Sequence, residues 1–148
     1  GLMTEQSFPL VLALNYHHAT GEMAPYFEAL EVGRARASKC PTCGDVRMPP
    51  RPVCPDDGTQ TEAIDLSGAG QVAAVTHGDA VPPFGDHATP QSFVLVAMDG
   101  ADNFMFGRMI DAHADDAVAV GTRVRLAGAQ GASPHPSGAA VFKRDQDQ

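Results

Sequence analysis

The stretch "CPTCGDVRMPPRPVCPDDG", Cys40 to Gly58, decides how this chain is read. Its spacing is Cys40-x2-Cys43, ten residues, then Cys54-x2-Asp57. A C-x2-C pair lets a tight turn aim two thiolates at one tetrahedral metal, and a second knuckle supplies the remaining ligands. "CPTCG" and "CPDDG" are near copies, each with proline after its first cysteine and glycine after its second ligand place. Glycine suits that place because the chain must curl back with positive φ. Aspartate oxygen binds zinc at ~2.0–2.2 Å, so Asp57 can stand where a fourth cysteine is expected. Two readings stand at this level: a structural zinc site held by Cys40, Cys43, Cys54 and Asp57, or a site that has lost its metal and keeps three free thiols. Four protein ligands leave no open position for water, so a metal here has a structural role.

Outward from the cluster, five prolines between Cys40 and Pro55 rule out helix. Upstream, "TGEMAPYFEALEVGR" places Met23, Tyr26, Phe27 and Leu30 at helical spacing. Thr20 is a candidate cap, Pro25 fits the first turn and Gly33 fits the end, which predicts a helix over about 22–32. "RARASK" (34–39) reads as a short strand entering the cluster. Downstream the pattern is β: "TEAIDLSG", "GQVAAVTHG", "SFVLVAMD", "NFMFGRMI", "TRVRLAGA" and "AAVFKR". Gly100-Ala101-Asp102 supplies hairpin chemistry. The expected fold is mainly β: an arm and helix over 1–33, a rubredoxin-like ribbon over 34–60, and a five-stranded OB-type barrel over 61–148 whose first strand is broken at Ser67-Gly68-Ala69-Gly70.

Composition narrows the function classes. The chain has 148 residues, 43% hydrophobic and 19% charged, the profile of a globular protein. A net charge of −8 argues against the broad basic face that phosphate neutralisation requires. Three cysteines clustered within 15 residues favour a metal site in a reducing compartment over a disulfide scaffold. The apolar run Phe8–Leu14 is too short for a membrane span and lacks the flanks of a signal peptide. The expected location is cytoplasmic.

The order of these features resembles the domain-of-unknown-function-35 family. The resemblance rests on "APYFEAL" (24–30), the C-x2-C-G knuckle, "MPPRPVCP" (48–55), "SGAGQVAAVTHG" (67–78) and "VAVGTRVRL" (118–126), and runs from about Met23 to Arg144. It implies a rubredoxin-like zinc ribbon joined to an OB-fold. It also implies a non-catalytic accessory subunit that binds a thiolase-like or hydratase-like acyl-CoA enzyme and contributes to its acyl-CoA channel. Asp57 departs from the family's fourth cysteine.

Other residues invite chemistry with weaker grounds. Arg47 and Arg51 flank the knuckles and could meet CoA phosphates through their forked donors. Phe84, with Val81, lies in a Pro/Gly loop that could anchor a partner. His17, His18, His77, His87, His113 and His135 form no evident catalytic order, and Asp111, Asp115 and Asp116 read as a solvated connector. Two further function classes remain: an OB-fold that binds single-stranded nucleic acid, set against by the charge, the lack of Trp and the low aromatic content, and a free-standing enzyme acting on acyl-CoA.

Overall fold

The apolar face at helical spacing buries as the sequence dictates. In the computed structural model, which describes residues 5–14, 16–80, 89–110, 118–128 and 140–145, a 3₁₀ turn Gly21–Met23 leads into α1, Ala24–Glu31. Tyr26 and Leu30 are buried, with Met23 and Phe27 packed beside them. The helix starts later than the expected residue 22. Thr20 makes no side-chain cap and instead accepts the Met23 amide on its carbonyl at 3.1 Å. Pro25 sits in the first turn, where its missing N–H costs nothing.

After the helix, three strands make a small sheet ordered β2-β1-β3: β1 (Ala35–Lys39), β2 (Val46–Arg47) and β3 (Glu62–Leu66). Strand β1 lies antiparallel to both neighbours, with Ser38 opposite Arg47 and Ala37 opposite Ile64. The small residues Ala35 and Ala37 are fully covered, which lets the helix and the core approach closely. Residues 62–66 therefore complete the ribbon sheet and are not the first half of a barrel strand, as the pattern alone suggested. The break at Ser67-Gly68 is a change of sheet: Ile64 and Leu66 pack toward the shared core, the chain turns, and barrel pairing begins at Ala69.

The barrel has five strands: β4 (Ala69–Ala80), β5 (Thr89–Met98), β6 (Phe104–Met109), β7 (Arg123–Leu126) and β8 (Val141–Arg144). They close in the order β4-β5-β6-β8-β7, with β7 returning to β4. All neighbours are antiparallel except β6 and β8. This is the five-stranded OB-type barrel that the resemblance implied. Val72, Val94, Val96, Met105, Val124 and Phe142 fill its interior. Strand β7 alternates as expected: Val124 and Leu126 point inward, while Arg123 pairs with Asp99 and Arg125 with Asp145.

Ribbon and barrel meet through a compact latch. The β5–β6 turn presents Asp102 and Asn103 to β2. The Val46 amide donates to Asp102 Oδ2 at 2.8 Å and the Asp102 amide donates to the Val46 carbonyl at 2.8 Å. Asn103 accepts the Met48 amide at 3.1 Å and donates to the Met48 carbonyl at 3.0 Å. Met48 is fully buried and precedes a cis peptide bond to Pro49. The side-chain amide thus satisfies both backbone groups of a residue that water cannot reach.

Two substitutions test this arrangement. Asn103→Ala strands the two Met48 groups, at about 1–3 kcal/mol each, so a urea melt should show a loss within that range or its double. Gly70→Ala places a Cβ 2.7 Å from the Ala97 carbonyl and 2.6 Å from Val96. A loss of about 1–3 kcal/mol is expected for such overpacking. Gly78→Ala is the control: a Cβ there meets nothing within 4 Å, and its melt should be unchanged or slightly raised.

Candidate metal centre

Two knuckles with the same backbone bonding build the site. In the first, the Cys40 amide donates to the Asp45 carbonyl at 2.9 Å and the Gly44 amide to the Cys40 carbonyl at 2.9 Å. In the second, the Cys54 amide donates to the Thr59 carbonyl at 2.8 Å and the Gly58 amide to the Cys54 carbonyl at 3.0 Å. Gly44 and Gly58 have φ of 80° and 73°, the left-handed region where a side chain is strained. The repeated Cys-Pro-x-x-Gly sequence is thus a repeated turn. Thr42 and Thr59 hydroxyls bridge the two at 3.3 Å.

The turns bring Cys40, Cys43, Cys54 and Asp57 together, with ligand atoms all within 4.8 Å of one another. Cys43 Sγ lies 3.7 Å from Cys54 Sγ. Two sulfurs bound at about 2.3 Å to one tetrahedral zinc stand about 3.8 Å apart, so the thiol spacing fits. Cys40 and Cys54 are buried, Cys43 is exposed, and none is in a disulfide. The donor set also asks for a cation. The Cys43 amide, at 3.5 Å from Cys40 Sγ, outweighs burial and, with the Thr42 amide and the other thiols, holds the Cys40 thiol below its usual range. The Asp45 amide favours the Cys43 thiolate, but hydrogen bonding to Cys40, burial, Cys54 and the Cys40 charge together push that thiol up to about 11. Neighbouring thiolates resist ionising together, and a divalent ion removes that conflict.

The remaining sequence candidates fall at various distances from this cluster. Arg47 is half-buried, and its Nε donates to Asp45 Oδ2 at 2.7 Å, which fixes it inside the first knuckle. Arg51 is exposed, its amide bonded to Ser38 Oγ at 3.0 Å and its carbonyl accepting the Thr61 hydroxyl. Phe84 and Val81, along with His87, His113, His135, Asp111, Asp115 and Asp116, lie outside the described residues. His77 Nδ1 is 2.6 Å from Ser92 Oγ, but Ser92 is buried beneath the sheet and presents no hydroxyl to a substrate. Asp45, Cys54 and Asp56 form a second group of close ligand atoms, but it shares Cys54 with the first and Asp45 is already paired with Arg47.

The sequence reading missed two features. The latch residues Asp102 and Asn103 passed as turn chemistry, because their partners lie about fifty residues away. The second feature is an apolar outer face on the barrel. Phe93, Leu95 and Ala97 on β5 stand opposite Arg108, Phe106 and Phe104 on β6, and the rings of Phe93 and Phe106 stack at 5.5 Å. Phe104 and Phe106 are 60% and 54% exposed. The signal was present: "SFVLVAM" and "NFMF" are apolar at odd and even positions alike, where a strand with one wet face alternates.

Residues 27–62 match the family model of the "ChsH2, rubredoxin-like zinc ribbon domain". That match takes in both knuckles with β1 and β2 and stops at Glu62, the first residue of β3. Two solved structures share the whole architecture. One, described as "Ltp2-ChsH2(DUF35) aldolase", is 22% identical with a TM-score of 0.60, over 90% of this chain and 98% of that one. The other is a protein of unknown function from the DUF35 family of Sulfolobus solfataricus, 19% identical with a TM-score of 0.58, over 82% of this chain and 83% of that one. The chain thus has the DUF35-type fold, a zinc ribbon followed by a five-stranded barrel. No curated protein matches it. The ribbon fold and its clustered thiols fit structural zinc.

If zinc organises the two knuckles, removing it should act locally. After chelation, hydrogen exchange and protease cleavage should rise across residues 40–60, while barrel amides such as those of β4 and β5 stay protected. Unchanged exchange in that segment would separate the ribbon's order from its metal.

Proposed function

We propose that this protein is a cytoplasmic accessory subunit of an enzyme acting on acyl-CoA thioesters, and that the partner supplies the chemistry. The observation that carries the reading is the apolar face of Phe93, Leu95, Phe104 and Phe106 on β5 and β6. On an OB-type barrel this is the face that meets ligands and partners. Aromatic residues enclosed at an interface are the usual anchors of binding energy. Complete burial of a Phe is worth about 1.5–3 kcal/mol; Phe104 and Phe106 are already about half covered, so together they supply roughly 2–3 kcal/mol. Phe8, Leu10, Val11, Leu12, Leu14 and Tyr16 in the N-terminal arm are also exposed and add apolar surface suited to a partner.

The likeness of fold to a chain described as part of an aldolase assembly supports the same reading. The resemblance noted in the sequence extends it to thiolase-like or hydratase-like partners and to a shared acyl-CoA channel, near which Arg51 could meet a CoA phosphate. Among the described residues, no nucleophile, base and orienting group come together in an open site, so a free-standing enzyme has less support. Binding of single-stranded nucleic acid fits the aromatic face but not the net charge of −8.

The test is affinity purification of the tagged protein from its native cells, with identification of what co-purifies and assay of that complex on acyl-CoA. One stoichiometric enzyme with thioester-dependent turnover is expected. The double variant Phe104→Asp and Phe106→Asp should weaken the complex by at least about 30-fold, the equivalent of 2 kcal/mol, with an unchanged circular dichroism spectrum. Turnover of acyl-CoA by the purified protein alone, or a partnerless protein under gentle conditions, would overturn the reading.

A further inference from the structure

We infer that Asp57 is the fourth metal ligand, through a carboxylate oxygen, so that the centre holds its ion with three sulfurs and one oxygen. This stands apart from the accessory-subunit reading and does not depend on it.

The argument begins with the repeated turn. Because the two knuckles share their backbone bonding, Asp57 occupies the place in the second that Cys43 occupies in the first. The correspondence reaches the side chains. The Asp45 amide favours the Cys43 thiolate from two residues on. The Thr59 amide, also two residues on, donates to Asp57 Oδ1 at 2.9 Å. The carboxylate is thereby held with both oxygens toward the cluster, Oδ1 at 3.7 Å and Oδ2 at 3.6 Å from Cys40 Sγ.

That distance has a specific meaning. A sulfur at about 2.3 Å and an oxygen at about 2.0 Å on one tetrahedral zinc stand about 3.5 Å apart. The observed 3.6 and 3.7 Å therefore place the carboxylate at ligand distance, to within about 0.2 Å of the S···O edge. Aspartate also suits the charge. One carboxylate with three thiolates carries the same formal charge as four thiolates, so the ion is neutralised to the same degree. The Thr59 amide holds this carboxylate in place at 2.9 Å. The ligand is therefore preorganised: its rotor is fixed before the metal arrives. A hard oxygen among soft sulfurs should loosen the ion relative to a four-sulfur ribbon, because thiolate is the better match to zinc.

The experiment uses the full chain loaded with zinc for X-ray absorption and with cobalt(II) for visible spectra. The wild type should show three sulfurs at about 2.3 Å and one oxygen at about 2.0 Å. Asp57→Ala should change the cobalt ligand-field bands and weaken zinc in chelator competition by at least about tenfold, the lower end of what losing an outer-shell partner alone costs. Asp57→Cys should give four sulfurs and tighter binding than the wild type. Asp57→Asn keeps an oxygen for the Thr59 amide while removing the charge, and it serves where the alanine variant folds poorly; it should also shift the bands. A wild-type oxygen ligand whose signature persists unchanged in Asp57→Ala and Asp57→Asn would assign that oxygen to water and overturn the proposal. So would an Asp57→Cys spectrum still showing three sulfurs and one oxygen.

Discussion

The seating of the ribbon on the barrel depends on four hydrogen bonds between a turn and a short strand with its exit. Val46 and Met48 belong to the shortest strand and its exit, a segment with too little of its own surface to hold a place. Asp102 and Asn103, at the far end of a barrel hairpin, satisfy its backbone and so position the ribbon against the barrel. Without them β2 would keep only its two register pairs with β1. The helix then covers the seam: Tyr26 and Leu30 belong to one continuous core with Val46, Met48, Val72 and Met98. The ribbon is small for an independent fold, and small units draw on metals or neighbours for stability. This one is built to draw on both.

The division of labour follows from that seam. One end of the molecule is polar and cysteine-bearing, with its donors turned inward on each other. The barrel side carries stacked aromatic rings turned outward. A structural metal fixes the first without exposing chemistry, and the second is a surface with no internal partner among the described residues. Of the two, the aromatic side is the one whose chemistry suits contact with another protein.

Much of this was legible in the residues. The helical spacing of Met23, Tyr26, Phe27 and Leu30 gave the buried face of α1, and the doubled Cys-Pro-x-x-Gly turns gave the ribbon. The alternation of Val124 and Leu126 with Arg123 and Arg125 gave a barrel strand with its inner and outer faces. What stayed hidden was non-local. A strand's pattern does not say which sheet it joins, so Glu62–Leu66 was assigned to the barrel that follows it, although its register is with β1. The latch was invisible because a turn Asp and Asn look alike whether they face water or a strand. The four clustered residues could be read from spacing, but only the structure shows the Thr59 amide holding Asp57 through Oδ1.

The close-approach glycines have a consequence for how the barrel avoids misalignment. Strands apolar on one face are kept in alignment because sliding by one residue would turn that face to water. Strands β5 and β6 lack this safeguard, being apolar on both sides along Phe93–Met98 and Phe104–Met105. Gly70 and Gly107 replace it with a steric key. A Cβ at Gly107 would meet the Phe142 ring at 2.5 Å and the Ala140 carbonyl at 2.9 Å, and Gly70 is as tightly enclosed by Val96 and Ala97. Sliding β4 past β5, or β6 past β8, by one residue drives a real side chain into a space that admits only hydrogen. Two missing methyl groups therefore proofread the alignment of a barrel whose hydrophobic pattern would tolerate error.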